Sequence, residues 1–336
     1  MTRDLTLLLA GNNTIAQHER IEANLERSWR ILTWRPDIDN RADLLAMLPQ
    51  ADALVGGDLL GGWPTGLKLG LYQIPYTGCD WVSEAQLPKG CRFCNTYEHE
   101  TAIAEYILLN LLEWQIDMAE TDRDFRTRRW DVGWPTHDGH GELRGKTVGI
   151  LGYGHIGREV AMRCAPFGVR VIGVARSEKA TPAELDWLGV CDGAGSADLH
   201  RLYAESDYIV VCCLLSEQTR GMVNSDGFSR MRDDAVLINV ARGPVVDEHA
   251  LYDALSSKAI RGATIDVWYN YPESGKPHPQ PSNFPLLELD NIRVSPHDSG
   301  STRETSERRW VSVIDNLNRF AREDELRNVV FTGTGA

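Results

Sequence analysis

The sequence predicts an α/β protein with two domains, each built around a doubly wound and mainly parallel β-sheet. Two observations support this prediction. Short apolar runs alternate with amphipathic helical patterns along nearly the whole chain, and several of the runs are apolar throughout, which is typical of strands buried on both faces. The length of 336 residues also exceeds the size at which one hydrophobic core stops growing.

The N-terminal part of the chain predicts a β-α-β pattern. Strands are expected at residues 5–9, 30–34 and 67–73, with helices near 15–29 and around residue 44. A longer helix is predicted over residues 101–118, because Ile103, Ile107 and Leu111 form one apolar stripe at helical spacing.

A second series of strands begins at Lys146. Its strands are expected at residues 147–151, 170–174, 208–214, 235–240, 263–267 and 292–294. Helix start signals lie between and after them, at Thr181 with Glu184, at Asp247, and at Ser301 with Glu304. The last helix is expected to run to about residue 320.

Composition and charge exclude several classes of function. The net charge of −13 repels phosphate backbones and anionic lipid, so we expect no nucleic acid or membrane partner. The first apolar run is too short for a secretory signal, and seven cysteines, several in apolar segments, are typical of reduced thiols. A cytoplasmic location is therefore expected.

Cys91 and Cys94 form a CxxC, but no second ligand pair follows, so no metal site is predicted.

A glycine-rich turn follows the predicted strand at 147–151 and opens a helical segment. Its first glycine permits a tight turn, its second lets backbone approach a pyrophosphate, and its third lets helix and strand pack closely. This context predicts a dinucleotide-binding fingerprint. The fingerprint is Gly152-Tyr153-Gly154-His155-Ile156-Gly157.

The end of the next predicted strand indicates which dinucleotide binds. A carboxylate that would bind the adenosine ribose is expected there, but the sequence has Ala175 followed by Arg176 and Ser177. A guanidinium and a hydroxyl suit a 2′-phosphate. The sequence therefore favours NADP over NAD, although Glu178 leaves NAD open.

Arg242 and His297 are the candidate catalytic pair. Each is predicted to follow a parallel strand at its carboxyl end, where open α/β sheets bind ligands. A guanidinium can bind a carboxylate and stabilise negative charge on a carbonyl oxygen that receives hydride. An imidazole can exchange a proton with a hydroxyl near neutral pH.

These motifs, together with the run from Asn239 to Leu251 and the segment from Asp266 to Trp268, resemble the D-isomer-specific 2-hydroxyacid dehydrogenases. The resemblance covers nearly the whole chain. It implies a substrate domain at residues 1–97 and 299–336, a Rossmann domain at residues 98–298, and an active site in the interdomain cleft.

The resemblance also implies roles for individual residues. Arg242 corresponds to the substrate-binding arginine, His297 to the acid/base, and Asp266 to a residue near the nicotinamide. Thr77 and Gly78 lie in a loop that resembles the one whose backbone N–H groups help to hold the substrate carboxylate.

The chain departs from the family pattern at Tyr271, where relatives carry a glutamate that pairs with the catalytic histidine. A phenol can orient an imidazole through a hydrogen bond but cannot stabilise imidazolium as a carboxylate does. The pKa of His297 is therefore expected to be lower than in those relatives. Glu273 or Asp298 as the partner, or a reaction with less need of proton transfer, are the alternatives.

The predicted function is that of an NADP-preferring oxidoreductase that interconverts a small 2-oxo acid and its D-2-hydroxy acid. Two alternatives stay open: oxidation of formate or another small anion, since formate dehydrogenases also lack the glutamate, and a dinucleotide-sensing scaffold similar to C-terminal binding protein corepressors. The acidic Glu98 and Glu100 would flank an anion-binding cleft, which counts against formate. Alternatively, Glu98, His99 and Glu100 face the substrate and select one with a positive or hydrogen-bonding tail.

A homodimer is expected, with a subunit contact at residues 121–142, rich in arginine and tryptophan.

Overall fold

The computed structural model describes residues 4–57, 63–64, 66–132, 139–272 and 277–335. The chain divides into two compact units: unit 1 is Met1–Glu98 with Thr302–Ala336, and unit 2 is His99–Ser301. The boundaries expected from the sequence lie one and three residues earlier. Residues 299–301 stay with unit 2 because Ser299 donates to Asp266 and Ser301 donates to the Asp298 carbonyl.

The helices and strands follow one another along the chain in three stretches. Unit 1 begins with β1 (Leu5–Ala10), α1 (Asn12–Ile15), α2 (His18–Asn24), β2 (Trp29–Trp34), α3 (Arg41–Met47), β3 (Ala53–Gly56), β4 (Leu71–Gln73) and β5 (Arg92–Cys94). Unit 2 contains α4 (Glu100–Ile116), α5 (Met118–Arg128), β6 (Thr147–Leu151), α6 (His155–Cys164), β7 (Arg170–Ala175), β8 (Trp187–Val190), α7 (Ala197–Glu205), β9 (Tyr208–Val211), α8 (Ser225–Arg230), β10 (Val236–Asn239), α9 (Glu248–Ser256), β11 (Gly262–Ile265) and β12 (Ile292–Val294). Unit 1 ends with α10 (Arg303–Arg322) and β13 (Val329–Thr332).

Unit 1 is built around a six-stranded sheet in the order β13-β5-β4-β3-β1-β2. Its strands are parallel except for β13, which pairs with β5 in the antiparallel direction. Successive residues of β1 enter the two cores on either face: Leu7 and Leu9 pack with α10, whereas Leu8 and Ala10 pack with α3. Both faces are therefore buried, as the continuous apolar runs predict.

Unit 2 is built around a seven-stranded sheet in the order β12-β11-β10-β9-β6-β7-β8, in which every pairing of the described strands is parallel. One face packs on α4 and α6, and the other packs on α7, α8 and α9. The strand order reverses between β6 and β9, which is where such sheets bind dinucleotides. No helix in the described ranges of either unit is long and apolar enough to cross a membrane.

Most predicted elements of unit 2 are confirmed. The six predicted strands correspond to β6, β7, β9, β10, β11 and β12, although β9 ends earlier, at Val211. The helix predicted over 101–118 is α4, which ends at Ile116 because Asp117 adopts a left-handed conformation with φ of 49°. Asp247 caps α9 by accepting a hydrogen bond from the backbone N–H of Ala250.

Two local predictions are wrong. The helix expected over residues 15–29 is two short helices, α1 and α2, and the buried Trp29 already belongs to β2. The capping pattern of Thr181 and Glu184 starts no helix. The Glu184 carboxylate instead accepts a hydrogen bond from Tyr153 at 2.6 Å and pairs with Arg158 at 3.4 Å. This long-range contact with the fingerprint segment replaces the local cap.

Candidate active site

Three neighbouring parallel strands of unit 2 end at one edge of the sheet and lead into the candidate catalytic segments. β10 pairs with β11, and β11 pairs with β12. Arg242 follows β10, Asp266 follows β11 directly, and His297 follows β12. Because the carboxyl ends of parallel strands share one edge, the fold brings these three segments together.

The Asp266 carboxylate is completely buried and is held by donors from the segment that carries His297. Oδ1 accepts from Ser295 Oγ at 2.6 Å and from the Asp298 N–H at 3.0 Å. Oδ2 accepts from the Ser299 N–H at 3.3 Å and from the Ser299 hydroxyl. A buried charge is tolerated when hydrogen bonds satisfy it, and Asp266 therefore fastens residues 295–299 to the end of β11.

A second layer of contacts supports the same segment. Ser295 Oγ donates to Asp266, so the Tyr106 hydroxyl at 2.6 Å donates to Ser295. The indole Nε1 of Trp268 donates to the Ser295 carbonyl at 2.9 Å. Burial raises the pKa of Tyr106, which keeps its phenol protonated and able to donate. Tyr106 lies on α4, so that helix also fixes the segment after β12.

His297 has a φ of 62°, in the left-handed region that residues other than glycine rarely adopt. Such a conformation costs of order 1–3 kcal/mol and persists only where the surroundings enforce it. Ser295 and Asp298, which lie on either side of His297 in the chain, both donate hydrogen bonds to Asp266. These bonds hold the backbone of His297 in its left-handed conformation. The ring is exposed at the sheet edge, where a substrate could reach it.

Tyr271 is the residue that contacts the His297 ring. Its Oη lies 2.9 Å from Nδ1 and also accepts a hydrogen bond from the backbone N–H of Trp268 at 3.1 Å. Asp298, an alternative partner considered from the sequence, is exposed and makes no hydrogen bond to the ring. Glu273, the other alternative, lies outside the described residues. Of the partners considered from the sequence, the phenol is therefore the one that the described residues place on the ring.

Arg242 is held by the loop that follows β10. Asn239, at the end of β10, accepts from the Ala241 N–H and donates to the Arg242 carbonyl, both at 3.1 Å. Nη1 of Arg242 donates to the Ala241 carbonyl at 2.8 Å. A Cβ on Gly243 would lie 2.3 Å from the Trp268 carbonyl, so only glycine lets this loop approach the segment after β11.

The predicted fingerprint has the geometry of a dinucleotide site. Gly152 has a φ of 99°, and a Cβ there would lie 2.6 Å from the Cys213 backbone. A Cβ on Gly154 would meet no described atom within 4 Å, which leaves room for the close approach of a pyrophosphate. No described side chain caps the N-terminus of α6, so its N–H groups and dipole suit an anion. These residues fit a dinucleotide phosphate.

The other fingerprint residues are divided between core and surface. Gly157 packs against Ile150 of β6, where a Cβ would lie 2.9 Å from the side chain. Ile156 is half-buried and packs against the core under α6, and His155 is exposed at the start of that helix. Burial raises the pKa of Cys213 to about 12, so no thiolate stands beside Gly152 to oppose a phosphate.

Arg176 and Ser177 follow β7 and are exposed. Neither makes a hydrogen bond or ion pair with another described residue. Glu178 is exposed as well, so both the basic and the acidic candidate for the ribose position stand at the surface after β7.

Unit 1, taken by itself, holds its predicted substrate loop through buried polar groups. Thr77 Oγ1 donates to the Thr96 carbonyl at 2.7 Å, and Asn95 Nδ2 donates to the Thr77 carbonyl at 3.0 Å. The buried Gln73 amide binds Thr96 Oγ1 and accepts from Asn316 of α10 at 2.7 Å. The adjoining Gly78 carbonyl accepts from the Trp81 indole at 3.3 Å.

Glu98, which lies shortly before α4, has contacts within unit 1. The Glu98 carboxylate lies 3.6 Å from Arg308 of α10, and the Glu98 carbonyl accepts from the same guanidinium at 2.9 Å. Glu98 also has a φ of 83°. Its charge is therefore partly neutralised within unit 1. Selection of a substrate tail by Glu98, His99 and Glu100 stays a prediction.

The CxxC motif lies in the core of unit 1. Cys91 immediately precedes β5, and Cys94 is its last residue. Both are completely buried, and burial raises the pKa of both thiols to about 12. Within the described residues, no group of three or more histidine, cysteine or acidic side chains is placed to hold a metal ion.

Comparisons with known proteins agree with this geometry. The family model of the D-isomer specific 2-hydroxyacid dehydrogenase NAD binding domain matches residues 108–299. A glyoxylate reductase from Thermococcus litoralis is 32% identical over 322 residues, which cover 91% of this chain and 92% of that protein. A hydroxypyruvate reductase from Thermotoga maritima is 32% identical over 176 residues, which cover 52% and 53% of the two chains.

A solved structure is similar over its whole length. The NADPH-dependent glyoxylate/hydroxypyruvate reductase from Sinorhizobium meliloti, in complex with NADP and malonate, has a TM-score of 0.74 and 24% identity, covering 98% of this chain and 97% of that one. This chain belongs to the D-isomer specific 2-hydroxyacid dehydrogenase family. It is an oxidoreductase of CH–OH donors that interconverts 2-oxo and 2-hydroxy acids, with an NAD-binding Rossmann domain in unit 2.

Sequence reasoning missed the residues that position the site. Tyr106, Ser295 and Ser299 build the support around Asp266, and Gln73 with Asn316 supports the loop in unit 1. The local signal is a polar residue among apolar ones, as at Gln73 in β4 and at Asn316 between Ile314 and Leu317 on the buried face of α10.

The first two glycines of the fingerprint predict different defects. Gly152→Ala should destabilise the fold by about 2 kcal/mol or more, since it adds a clash with Cys213 to an unfavourable φ. Gly154→Ala should leave stability within about 0.5 kcal/mol but weaken dinucleotide binding by about tenfold or more. Thermal unfolding and fluorescence titration with reduced dinucleotide measure the two effects. A stable Gly152→Ala, or a Gly154→Ala with unchanged affinity, would contradict this assignment.

The Asp266 contacts predict a catalytic defect without a binding defect. Asp266→Asn disrupts the acceptor pattern for Ser295 and Ser299, so His297 should leave its position and kcat should fall about 100-fold. The Kd of the dinucleotide should change less than about threefold. Asp298→Asn is the matched control, because only the backbone of Asp298 takes part. A raised Kd with unchanged kcat would instead place Asp266 against the nicotinamide.

Proposed function

We propose that this chain is an NADP-preferring reductase that converts a small 2-oxo acid into its D-2-hydroxy acid. One observation carries the proposal. Arg242 and His297 follow β10 and β12, the strands on either side of β11, and Asp266 follows β11 between them. This arrangement offers a guanidinium and an imidazole at one sheet edge, as a 2-oxo acid requires: one group for its carboxylate and one for its carbonyl oxygen.

Each group has a distinct task. The Arg242 guanidinium binds the substrate carboxylate through paired hydrogen bonds and stabilises charge that develops on the carbonyl oxygen. The His297 ring donates a proton to that oxygen and orients the carbonyl. A bound reduced nicotinamide would supply the hydride. The loop of Thr77 and Gly78 is proposed to hold the carboxylate through backbone N–H groups.

Two of the relatives support a small substrate. They are named for glyoxylate and hydroxypyruvate, both small 2-oxo acids. Formate oxidation has less support, because the contact of Tyr271 with His297 supplies a proton-transfer group that formate oxidation does not need.

The preference for NADP is supported by the residues after β7. Arg176 and Ser177 are exposed there and carry groups that suit a 2′-phosphate. The Sinorhizobium meliloti relative is NADPH-dependent. The opposing group is Glu178, which could bind the ribose of NAD.

A homodimer and a cytoplasmic location complete the proposal. Exposed apolar side chains cluster along α4, α5 and the turn that follows, at Leu109, Met118, Phe125 and Trp130. Such a surface is typical of a subunit contact. Part of the predicted contact, residues 133–138, lies outside the described residues. The buried thiols suit a reducing compartment.

Removal of the guanidinium tests the reaction. Arg242→Ala should lower kcat/KM for glyoxylate, hydroxypyruvate and pyruvate by about 1,000-fold, the loss of about 4 kcal/mol of transition-state stabilisation. Arg242→Lys should recover only part, because an ammonium lacks the paired donors. Arg230→Ala, which removes an exposed helical ion pair, is the control. Dinucleotide binding without turnover would favour the scaffold alternative, and oxidation of formate alone would contradict the proposal.

Removal of Arg176 tests the cofactor preference. Arg176→Ala should weaken NADPH binding about 10- to 100-fold, since it removes the charge that faces a 2′-phosphate, and should leave NADH binding nearly unchanged. The matched control is Arg158→Ala on α6, which removes an arginine that is paired with Glu184. Titration of each variant with both reduced dinucleotides gives the ratio of affinities, and equal losses for the two would exclude a 2′-phosphate site at Arg176.

A further inference from the structure

We infer that Tyr271 is the proton source of the site, and that it passes its phenolic proton through the His297 ring to the substrate oxygen. The inference rests on the proposed function, the reduction of a 2-oxo acid. It gives Tyr271 a step in the reaction beyond the orientation of the ring.

The hydrogen bonds around Tyr271 support this direction of transfer. A backbone N–H can only donate, so Tyr271 Oη is the acceptor in its 3.1 Å contact with Trp268. The phenol can then donate its one proton to Nδ1 of His297, 2.9 Å away. With Nδ1 as acceptor, the neutral ring carries its own proton on Nε2. The uncharged pair is thus already a proton donor.

The transfer balances without an imidazolium. Hydride forms the new C–H bond, and the C=O π electrons become a lone pair on oxygen. That oxygen takes the proton from Nε2 of His297 while Nδ1 takes the proton from Tyr271, so the O–H bond of the phenol breaks and a phenolate forms. After the product leaves, Nε2 takes one proton from solvent and the Nδ1 proton returns to the phenolate, which restores both groups.

Ordinary acidities favour this route at neutral and alkaline pH. An imidazolium loses its proton near pH 6.5, whereas a phenol keeps its proton to about pH 10. The alkoxide formed by hydride addition is a stronger base than a phenolate, so the net transfer is downhill. The Trp268 N–H can stabilise the phenolate by a charge-assisted hydrogen bond. The His297 ring is exposed, so solvent can return a proton to Nε2.

The charged groups on the elements around the pair are few among the described residues. Arg242 lies on the loop after β10, which is on the other side of β11 from the strand that leads to His297. The Asp266 carboxylate, at the end of β11, is bonded to Ser295 and Ser299, and Tyr106 of α4 binds that same network. Asp298, next to the ring in sequence, is exposed. Glu273 lies outside the described residues.

The pH dependence of kcat for reduction tests the relay. In the unchanged protein kcat should stay level from pH 6.5 to about 9, whereas in Tyr271→Phe it should fall about tenfold per pH unit above the imidazole pKa, because only imidazolium then donates. Tyr271→Glu should also lose activity with rising pH, but through a higher pKa, because the carboxylate stabilises imidazolium. Tyr269→Phe removes a hydroxyl bonded to the Val246 carbonyl and is the matched control, with the level profile.

A fall of kcat in the unchanged protein through the same pKa as in Tyr271→Phe would overturn the relay. A second measurement needs no turnover. In ¹⁵N NMR spectra of the unchanged protein, with the His297 signals assigned by His297→Gln, the neutral ring should carry its proton on Nε2. A proton on Nδ1 would overturn the relay. If no 2-oxo acid is reduced, the proposed function fails, while the NMR result still decides the direction of the hydrogen bond.

Discussion

The candidate site depends on one buried charge. The Asp266 carboxylate is withdrawn from water at the end of β11, and the donors that compensate it come almost entirely from residues 295–299. A buried carboxylate without such donors would cost several kcal/mol, so the segment after β12 must close over it. That closure holds His297 in a left-handed conformation which its own residue type does not favour. The position of His297, the candidate acid/base group, is therefore set by an electrostatic requirement at the end of the neighbouring strand, β11.

The same requirement couples the loops after β10, β11 and β12 into one platform. Gly243 brings the Arg242 loop against the Trp268 carbonyl, the Trp268 indole binds the Ser295 carbonyl, and the Trp268 N–H binds Tyr271. Trp268 thus contacts the supports of both candidate catalytic side chains. A platform of this kind keeps the guanidinium and the imidazole in fixed positions before a substrate arrives, and such preorganisation is what makes electrostatic stabilisation effective.

The sequence was sufficient for the parallel, doubly covered architecture of the sheets and for six strands of unit 2, since continuous apolar runs between helical patterns predict such strands. It was sufficient for Arg242 and His297 as candidates, because each follows such a run. It did not predict β3, β8 or β13, which are only four residues long. It was also not sufficient where partners lie far apart in the chain, since Glu184 has a local capping pattern but binds Tyr153, 31 residues away. Asp266 could be placed at a strand end, but nothing local names Ser299 as its partner.

The substitution of a tyrosine for the family glutamate changes the charge of the site as well as its proton chemistry. A carboxylate beside the ring would oppose an anionic substrate and would retain a proton on Nδ1, whereas the Tyr271 hydroxyl is neutral and its oxygen already accepts from Trp268. The positive field of Arg242 then acts on the substrate carboxylate without an opposing charge on the ring's other side. Because Nε2 of a ring held in this way carries a proton, it can donate to an alkoxide but cannot accept a proton from a hydroxyl until the tautomer changes. The reverse oxidation would run the same relay backwards, with a ring protonated on Nδ1 giving that proton to the phenolate while Nε2 accepts the hydroxyl proton.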